Sequence, residues 1–219
     1  MEWSLLASLD EEERRRVLAA ARRRSYGRGA VLVNEGDPSD SLHLVASGRL
    51  AVRVSTSDGE NATINLLGPG DYFGELSLLD GTAPVRSATI VALEKAETLS
   101  LSATEFRDLR RRHPAANQLL LALMARRVEE LTARLLEAMY DGLDRRVHRR
   151  LAELGALYDD GRGGPVVVPL TQEHLAELVG GTRPSVNQVL QKLAALGVVG
   201  LGRGRVTVLD REWLEDSSG

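Results

Sequence analysis

From Tyr26 to about Leu101 the chain is cut at short intervals by glycine, at Gly29, Gly36, Gly48, Gly59, Gly68 and Gly70. Between the cuts run SLHLVA (41–46), RLAVRVS (49–55), ATINLL (62–67) and ATIVAL (88–93). Apolar alternation with a period of two puts successive side chains on opposite faces of a strand, and glycine supplies the turn conformations that other residues resist. Strands of four to seven residues between glycine turns at ~10-residue intervals predict an antiparallel sandwich or roll. The roll is bracketed by helix starts. Asp10 is placed to cap a helix, with Glu13 three residues on and an apolar face through Val17, Leu18 and Ala21, and Ser102-Ala-Thr-Glu105 is a capping box that ends the β region.

The next segment has the opposite character. From about Ala115 to Met139 there is neither Gly nor Pro, and Leu120, Met124, Val128, Leu131, Leu135 and Ala138 recur at spacings of four and three. One long helix with a single apolar seam suits a coiled-coil partner, here a second copy of the chain, so Leu120, Met124, Val128, Leu131 and Leu135 are the expected dimer interface. Burial of the seam against the chain's own β domain is the alternative.

A third part opens near Gly142. Arg145, Arg146, Arg149 and Arg150 share a helix with apolar Val147, Leu151 and Leu154, and such a charge run reads as a solvated face. After a DDGRGGP loop (159–165) comes LTQEHLAELVGGTRPSVNQVLQKLAALGVV. Thr171 caps one short helix, Gly180-Gly181 breaks it, and Thr182 caps a second. Leu175, Val179, Val186 and Val189 form a shared core, and Ala176 sits where two crossing helices leave space only for a small side chain. That order of small, turn and apolar positions is a DNA-binding helix-turn-helix. VVGLGRGRVTVL then reads as two strands around a Gly-rich turn, the wing of a winged helix. Between Gly180 and Val206 stand Arg183, Lys192, Arg203 and Arg205 with no acid, on a chain whose net charge is −3. Phosphate contact needs that local sign, and base readout needs polar residues at the start of the second helix. Thr171, Thr182, Arg183, Ser185, Asn187, Gln188 and Arg203 are the expected DNA-binding residues. A helical hairpin for protein contacts is the competing reading.

Composition narrows the chemistry. The 219 residues are 43% apolar and 27% charged, an ordinary globular balance. With no cysteine there are no disulfides, thiolate nucleophiles or iron-sulfur ligands, and His43, His113, His148 and His174 lack metal-ligand spacing. No nucleophile-base set or P-loop is present, so no enzyme is expected. No apolar run approaches the roughly 18 residues of a membrane span and the N-terminus is not a signal peptide, so a cytoplasmic protein without membrane contact is expected. The fold class is α+β, with a β-roll domain at 1–114, a dimerisation helix at 115–141 and a winged helix-turn-helix at 142–219.

One stretch remains, FGELSLLDGTAPVRSATI (73–90), with the Glu75 carboxylate near one end and its one guanidinium, Arg86, near the other. Late in a glycine-punctuated roll, it resembles the phosphate-binding cassette of cyclic nucleotide-binding domains. NEGDPSDSLHLVASGRLAV (34–52) and LGPGDYFGELSLLDG (67–81) extend the resemblance, and the whole chain is similar to the cyclic AMP receptor protein (CRP/FNR) family of bacterial transcription regulators. The resemblance implies an allosteric cyclic nucleotide and no cofactor. Arg86 and Ser87 would hold the phosphate, with cyclic AMP favoured over cyclic GMP because Ser87 follows the arginine. Glu75 would accept from the ribose 2′-hydroxyl, Gly74 would leave room for the sugar, and amides of the Leu76–Leu79 turn would face the phosphate. Thr132 is the nearest match to the polar residue that meets the adenine, beside an apolar Leu131. Arg183, Pro184 and Gln188 fall at the base-reading positions, and because Pro184 cannot accept from cytosine the half-site should differ from that of the family's namesake. The resemblance further implies a homodimer on pseudo-palindromic double-stranded DNA, with RNA polymerase as a partner. The alternatives are a Glu75–Arg86 pair that closes the cassette on itself, and a regulator of the same fold gated by another small molecule or by none; His43 and His113 leave haem open.

Overall fold

The computed structural model describes residues 3–55, 61–79, 85–159 and 161–218. Gly59, residues 80–84 of the cassette stretch and Asp160 of the DDGRGGP loop lie outside the described residues. The chain folds as two compact units, residues 1–130 and 131–219.

Among the described residues of the first unit, a 3-10 turn (Ser4–Leu6) and α1 (Glu11–Ala20) lead into the strands β1 (Arg22–Tyr26), β2 (Val31–Val33), β3 (Ser41–Ser47), β4 (Leu50–Ser55), β5 (Asn61–Leu67), β6 (Tyr72–Phe73), β7 (Thr89–Ala92) and β8 (Ala96–Ser102), with the short α2 (Glu75–Leu79) after β6. They form two antiparallel sheets, ordered β1-β8-β3-β6 and β2-β7-β4-β5. This is the predicted roll. Alternation along β3 explains its double-sided core. Leu42 and Leu44 face Trp3, Leu6 and Phe106 on the helical side, while Val45 packs with Leu50, Phe73 and Ile90 inside the roll. Each such buried apolar side chain contributes roughly 1.5–3 kcal/mol.

The helix starts behave as capping chemistry requires. Asp10 accepts from the Glu13 amide, whereas the Glu13 carboxylate lies 3.0 Å from His113 Nδ1. Ser102 and Glu105 form a full capping box at the start of α3 (Ala103–Arg112). α4 (Pro114–Tyr140) follows as one 27-residue helix.

The residues of the expected α4 seam divide: Leu120 and Met124 pack on their own unit, while Val128, Leu131 and Leu135 are exposed. Leu120 is only 4% exposed and belongs to the core of its own β-roll unit, with Met124 partly buried against the same cluster. Leu120 is therefore part of the core of its own unit and not of the exposed stripe, and Met124 is partly covered. Next to it Leu121 is 70% exposed, and Val128, Leu131, Leu135, Leu136 and Met139 are exposed as well. Leu121, Val128 and Leu135 repeat every seven residues. α4 thus carries two apolar stripes, one that closes its own domain and one that is bare.

The second unit contains α5 (Leu143–Tyr158), β9 (Val166–Val168), α6 (Gln172–Val179), α7 (Arg183–Ala195), β10 (Val199–Gly202), β11 (Arg205–Val208) and α8 (Arg211–Asp216). Its sheet order is β10-β11-β9. Val147, Leu151 and Leu154 of α5 are buried as predicted. Its arginines are not all solvated: Arg149 Nη1 lies 2.8 Å from Asp141 Oδ2 and 3.0 Å from Glu137 Oε1, and its Nη2 donates to the Ser218 carbonyl at 2.7 Å. Arg150 pairs with Glu153.

Candidate ligand cassette and nucleic-acid interface

The cassette is built on the turn NEGD. Asp37 Oδ2 accepts from both the backbone and the side-chain amide of Asn34, and Gly36 takes φ +84°, closing the turn. Arg86 is then sewn to it: its amide donates to the Asp37 carbonyl and its carbonyl accepts from the Gly36 amide, both at 2.8 Å. The guanidinium turns inward and Arg86 is 4% exposed. Nη2 donates to Ser41 Oγ at 3.0 Å, while Nε and Nη1 are enclosed with no hydrogen-bond partner. Burial pulls the Arg86 pKa down, opposed by the Asp40, Glu75 and Asp37 charges.

Glu75 opens α2, and its Oε2 is likewise enclosed without a partner. Burial pushes its carboxyl pKa up, against a bond from its own backbone amide and the charges of Arg127 and Arg86. The self-closing Glu75–Arg86 pair is not made by these atoms. A buried polar group left unpaired costs about 1–3 kcal/mol, so the cassette holds an acceptor and two donors that a ligand would satisfy.

Gly74 has a reason the sequence does not show. Its φ is +92°, and a Cβ there would collide with Arg86 Nη1 and approach the Ser41 carbonyl at 2.7 Å. The space above Gly74 admits the guanidinium, where sequence reading reserved it for a sugar. Of the other expected ligand residues, Ser87 and Leu76 are exposed, as is Thr132 on α4. Ser41, Asp37 and His43 went unforeseen, because nothing in a local pattern links Ser41 to an arginine 45 residues away. His43 is buried and stacked on Phe73, with both ring nitrogens within 3.2 Å of hydroxyls. Both ring nitrogens of His43 are thus engaged, whereas for His113 it is Nδ1 that faces a partner, the Glu13 carboxylate.

The helix-turn-helix is as predicted. Thr171 Oγ1 accepts from the His174 amide, Gly180 takes the left-handed conformation (φ +61°), and Thr182 Oγ1 accepts from the Ser185 amide. Leu175, Ala176, Val179, Val186 and Val189 are buried. Thr182, Arg183 and Gln188 are exposed at the start of α7, Asn187 is partly buried, and Ser185 Oγ lies 2.9 Å from Thr182 Oγ1. Strands β10 and β11 pair antiparallel, with exposed Arg203 in the turn and Arg205 after it. Lys192 departs from the expected cationic patch: its Nζ lies 3.3 Å from Asp144 Oδ2. Arg183, Arg203 and Arg205 remain.

Residues 23–113 match the cyclic nucleotide-binding domain and residues 145–217 match the Crp-like helix-turn-helix domain. The cyclic AMP receptor protein of Thermus thermophilus is 37% identical over 195 residues, covering 89% of this chain and 87% of that protein. The chain belongs to the CRP/FNR family. The CRP-like cAMP-activated global transcriptional regulator of Mycobacterium tuberculosis is 31% identical over 191 residues, covering 86% of this chain and 84% of that one. Among solved structures, the Thermus thermophilus catabolite activator protein aligns with a TM-score of 0.56 at 36% identity, over 98% of both chains. The regulator CLP of Xanthomonas campestris aligns with a TM-score of 0.76 at 22% identity, over 91% of this chain and 99% of that one, a likeness of fold. CRP/FNR proteins are transcription regulators and not enzymes, and this member joins a cyclic nucleotide-binding domain to a helix-turn-helix. Among the described residues no helix is long and apolar enough to cross a membrane, and no group of three or more His, Asp or Glu is placed to hold a metal ion.

Proposed function

We propose that this CRP/FNR protein is a homodimeric, sequence-specific regulator whose DNA binding is controlled by cyclic AMP held in the β roll. The observation that carries the reading is the unfilled polar set of the cassette: Glu75 Oε2 as acceptor, Arg86 Nε and Nη1 as donors. A cyclic nucleotide complements it. Its phosphodiester carries one negative charge for the guanidinium, with the exposed Ser87 hydroxyl as a second donor, and its ribose 2′-hydroxyl donates to the carboxylate. Thr132, exposed on α4, is the candidate for the adenine, Leu76 borders the cassette, and Gly74 keeps the path of Arg86 clear. The similar proteins of Thermus thermophilus and Mycobacterium tuberculosis bear names that specify cyclic AMP, which favours it over cyclic GMP.

The bare stripe of α4 supports the dimer. Leu121, Val128, Leu131, Leu135 and Met139 are exposed in a single chain, and a second copy of the helix would cover them. A two-fold dimer presents its α7 helices to a pseudo-palindrome with half-sites about 34 Å apart. Arg183 is suited to guanine and Gln188 to adenine, while Thr182, Arg203 and Thr171 are suited to phosphates. RNA polymerase is the proposed protein partner. The functional division is residues 1–114 for ligand, 115–141 for dimerisation and 142–219 for DNA.

The experiment is site selection from random duplexes followed by fluorescence anisotropy with and without cyclic AMP. The expected result is a palindromic site, different at the Pro184 and Gln188 positions from the namesake's, bound at least about tenfold tighter with ligand; a tens-fold coupling corresponds to roughly 2 kcal/mol. Equal affinity with and without nucleotide would make the β roll a scaffold.

A further inference from the structure

Behind the cassette lies a line of polar groups that runs from exposed Asp40 through half-buried Ser41 to buried His43 and Thr98. Ser41 Oγ, on β3, accepts from Arg86 Nη2 at 3.0 Å, donates to Asp40 Oδ1 at 2.8 Å and lies 3.2 Å from His43 Nε2. The far nitrogen of His43, Nδ1, lies 3.2 Å from Thr98 Oγ1 on β8. His43 and Thr98 are both buried, and the imidazole is stacked on Phe73 with ring centroids 4.7 Å apart and planes 6° from parallel.

With every one of these contacts made as a hydrogen bond at once, the valences of the groups leave one arrangement. A hydroxyl has one proton and two lone pairs, a guanidinium only donates and a carboxylate only accepts. Ser41 therefore spends its proton on Asp40 and one lone pair on Arg86. The remaining lone pair faces His43, so the imidazole must donate through Nε2. Nδ1 is then an acceptor, and Thr98 Oγ1 supplies the proton. Packing against Phe73 fixes the ring plane, and with it the direction of the Nε2–H bond.

We propose that Ser41 and His43 are positioning residues for the ligand-binding arginine: a relay in which His43, donating through Nε2, orients the Ser41 hydroxyl, and Ser41 holds Arg86 Nη2 so that Nε and Nη1 face an anionic ligand. The inference rests on the cyclic-nucleotide reading of the cassette. The relay accounts for a polar imidazole on the apolar inner face of the roll, where Val45 and Phe73 otherwise pack. It also explains how a flexible arginine is kept in one pose with only one of its three nitrogens engaged, since a receptor group fixed before the ligand arrives loses less freedom on binding. Burial first, then the neighbouring Arg86 and Arg24, hold the His43 pKa down at about 4, against the pull of Asp40, so the ring carries the single proton that this geometry needs at neutral pH.

The test is calorimetric titration of the full-length protein with cyclic AMP, for the unaltered chain, Ser41→Ala, Ser41→Thr and Arg86→Ala, together with nitrogen-15 spectra of the histidine rings. The relay predicts that Ser41→Ala binds about tenfold more weakly while Ser41→Thr, which keeps the hydroxyl, stays within about threefold of the unaltered protein. In the unaltered protein at neutral pH, His43 shows the Nε2–H tautomer, and its ring signals shift when cyclic AMP saturates the site. Ser41→Ala binding as tightly as the unaltered chain, with Arg86→Ala abolishing binding, would overturn the relay and leave the cassette reading standing. A His43 ring protonated on Nδ1 alone would overturn it without any variant, which covers the case of a Ser41→Ala chain that does not fold. An unaltered protein that binds neither cyclic AMP nor cyclic GMP would sink the cassette reading and the relay with it.

Discussion

The cassette and the helix-turn-helix solve opposite problems with the same twenty side chains. In the helix-turn-helix the interior is apolar and complete: Leu175, Val179, Val186, Val189 and Leu190 are buried, and the polar residues stand outside. In the cassette the interior is polar and incomplete, since Glu75 Oε2 and Arg86 Nε and Nη1 are enclosed without partners. A surface that reads DNA can be displayed by a finished core. A site that senses a small anion must keep charged groups under cover, and its stability then depends on what fills it.

That difference can be broken most severely at Gly74. Gly74→Ala imposes a strained φ and displaces Arg86 Nη1; strain and lost charge-assisted bonds together should cost about 4 kcal/mol of nucleotide binding, roughly a thousandfold. Calorimetry reads the loss, and melting of the second unit should not change. The reciprocal damage is Leu190→Ala, where a fully buried side chain leaves a cavity. It should destabilise the second unit by about 3–4 kcal/mol in denaturant melts and leave cyclic AMP affinity within about twofold.

A pH series sharpens the contrast further. The His43 pKa is lowered from 6.5 to about 4 by burial, with Arg86 and Arg24 pushing the same way and Asp40 opposing. Between those values the unfolded chain binds a proton that the folded chain refuses. Stability is therefore intact above pH 6.5 and falls as pH drops toward 4, by on the order of 3 kcal/mol. Glu75, whose carboxyl pKa is raised by burial, acts with the opposite sign at the acid end. Comparing melts of the unaltered chain with His43→Gln isolates the histidine, and parallel curves would contradict the assignment. The smallest effect is at the cap of the recognition helix. Thr182→Ala removes the acceptor for the Ser185 amide and should cost about 1 kcal/mol of second-unit stability by thermal melt.

The two regions also differ in what a sequence reveals. The helix-turn-helix was legible because its caps, its left-handed Gly180 and its buried positions lie within one contiguous stretch and act through neighbours three or four residues apart. The cassette was legible only at its ends, Glu75 and Arg86. The turn that holds Arg86 and the hydroxyl that engages it come from residues 34–41, brought close by the roll. Strand β8, AETLSLS, was missed because Thr98 and Ser100 are small polar residues in buried positions. Strand β1, RRRSY, carries four exposed residues at a sheet edge and shows no alternation at all. The expected α4 seam joined residues of two apolar stripes on one helix, because spacing alone cannot say that Leu120 closes its own domain while Leu121 is exposed.

The most direct test of the central claim is titration of the purified full-length protein with cyclic AMP and cyclic GMP beside Arg86→Ala. The expected result is cyclic AMP binding at micromolar concentration or tighter, weaker binding of cyclic GMP, and loss of both in Arg86→Ala with the fold retained. No heat and no thermal shift with either nucleotide would contradict it, and would leave Glu75 and Arg86 as buried charges that serve the β roll alone.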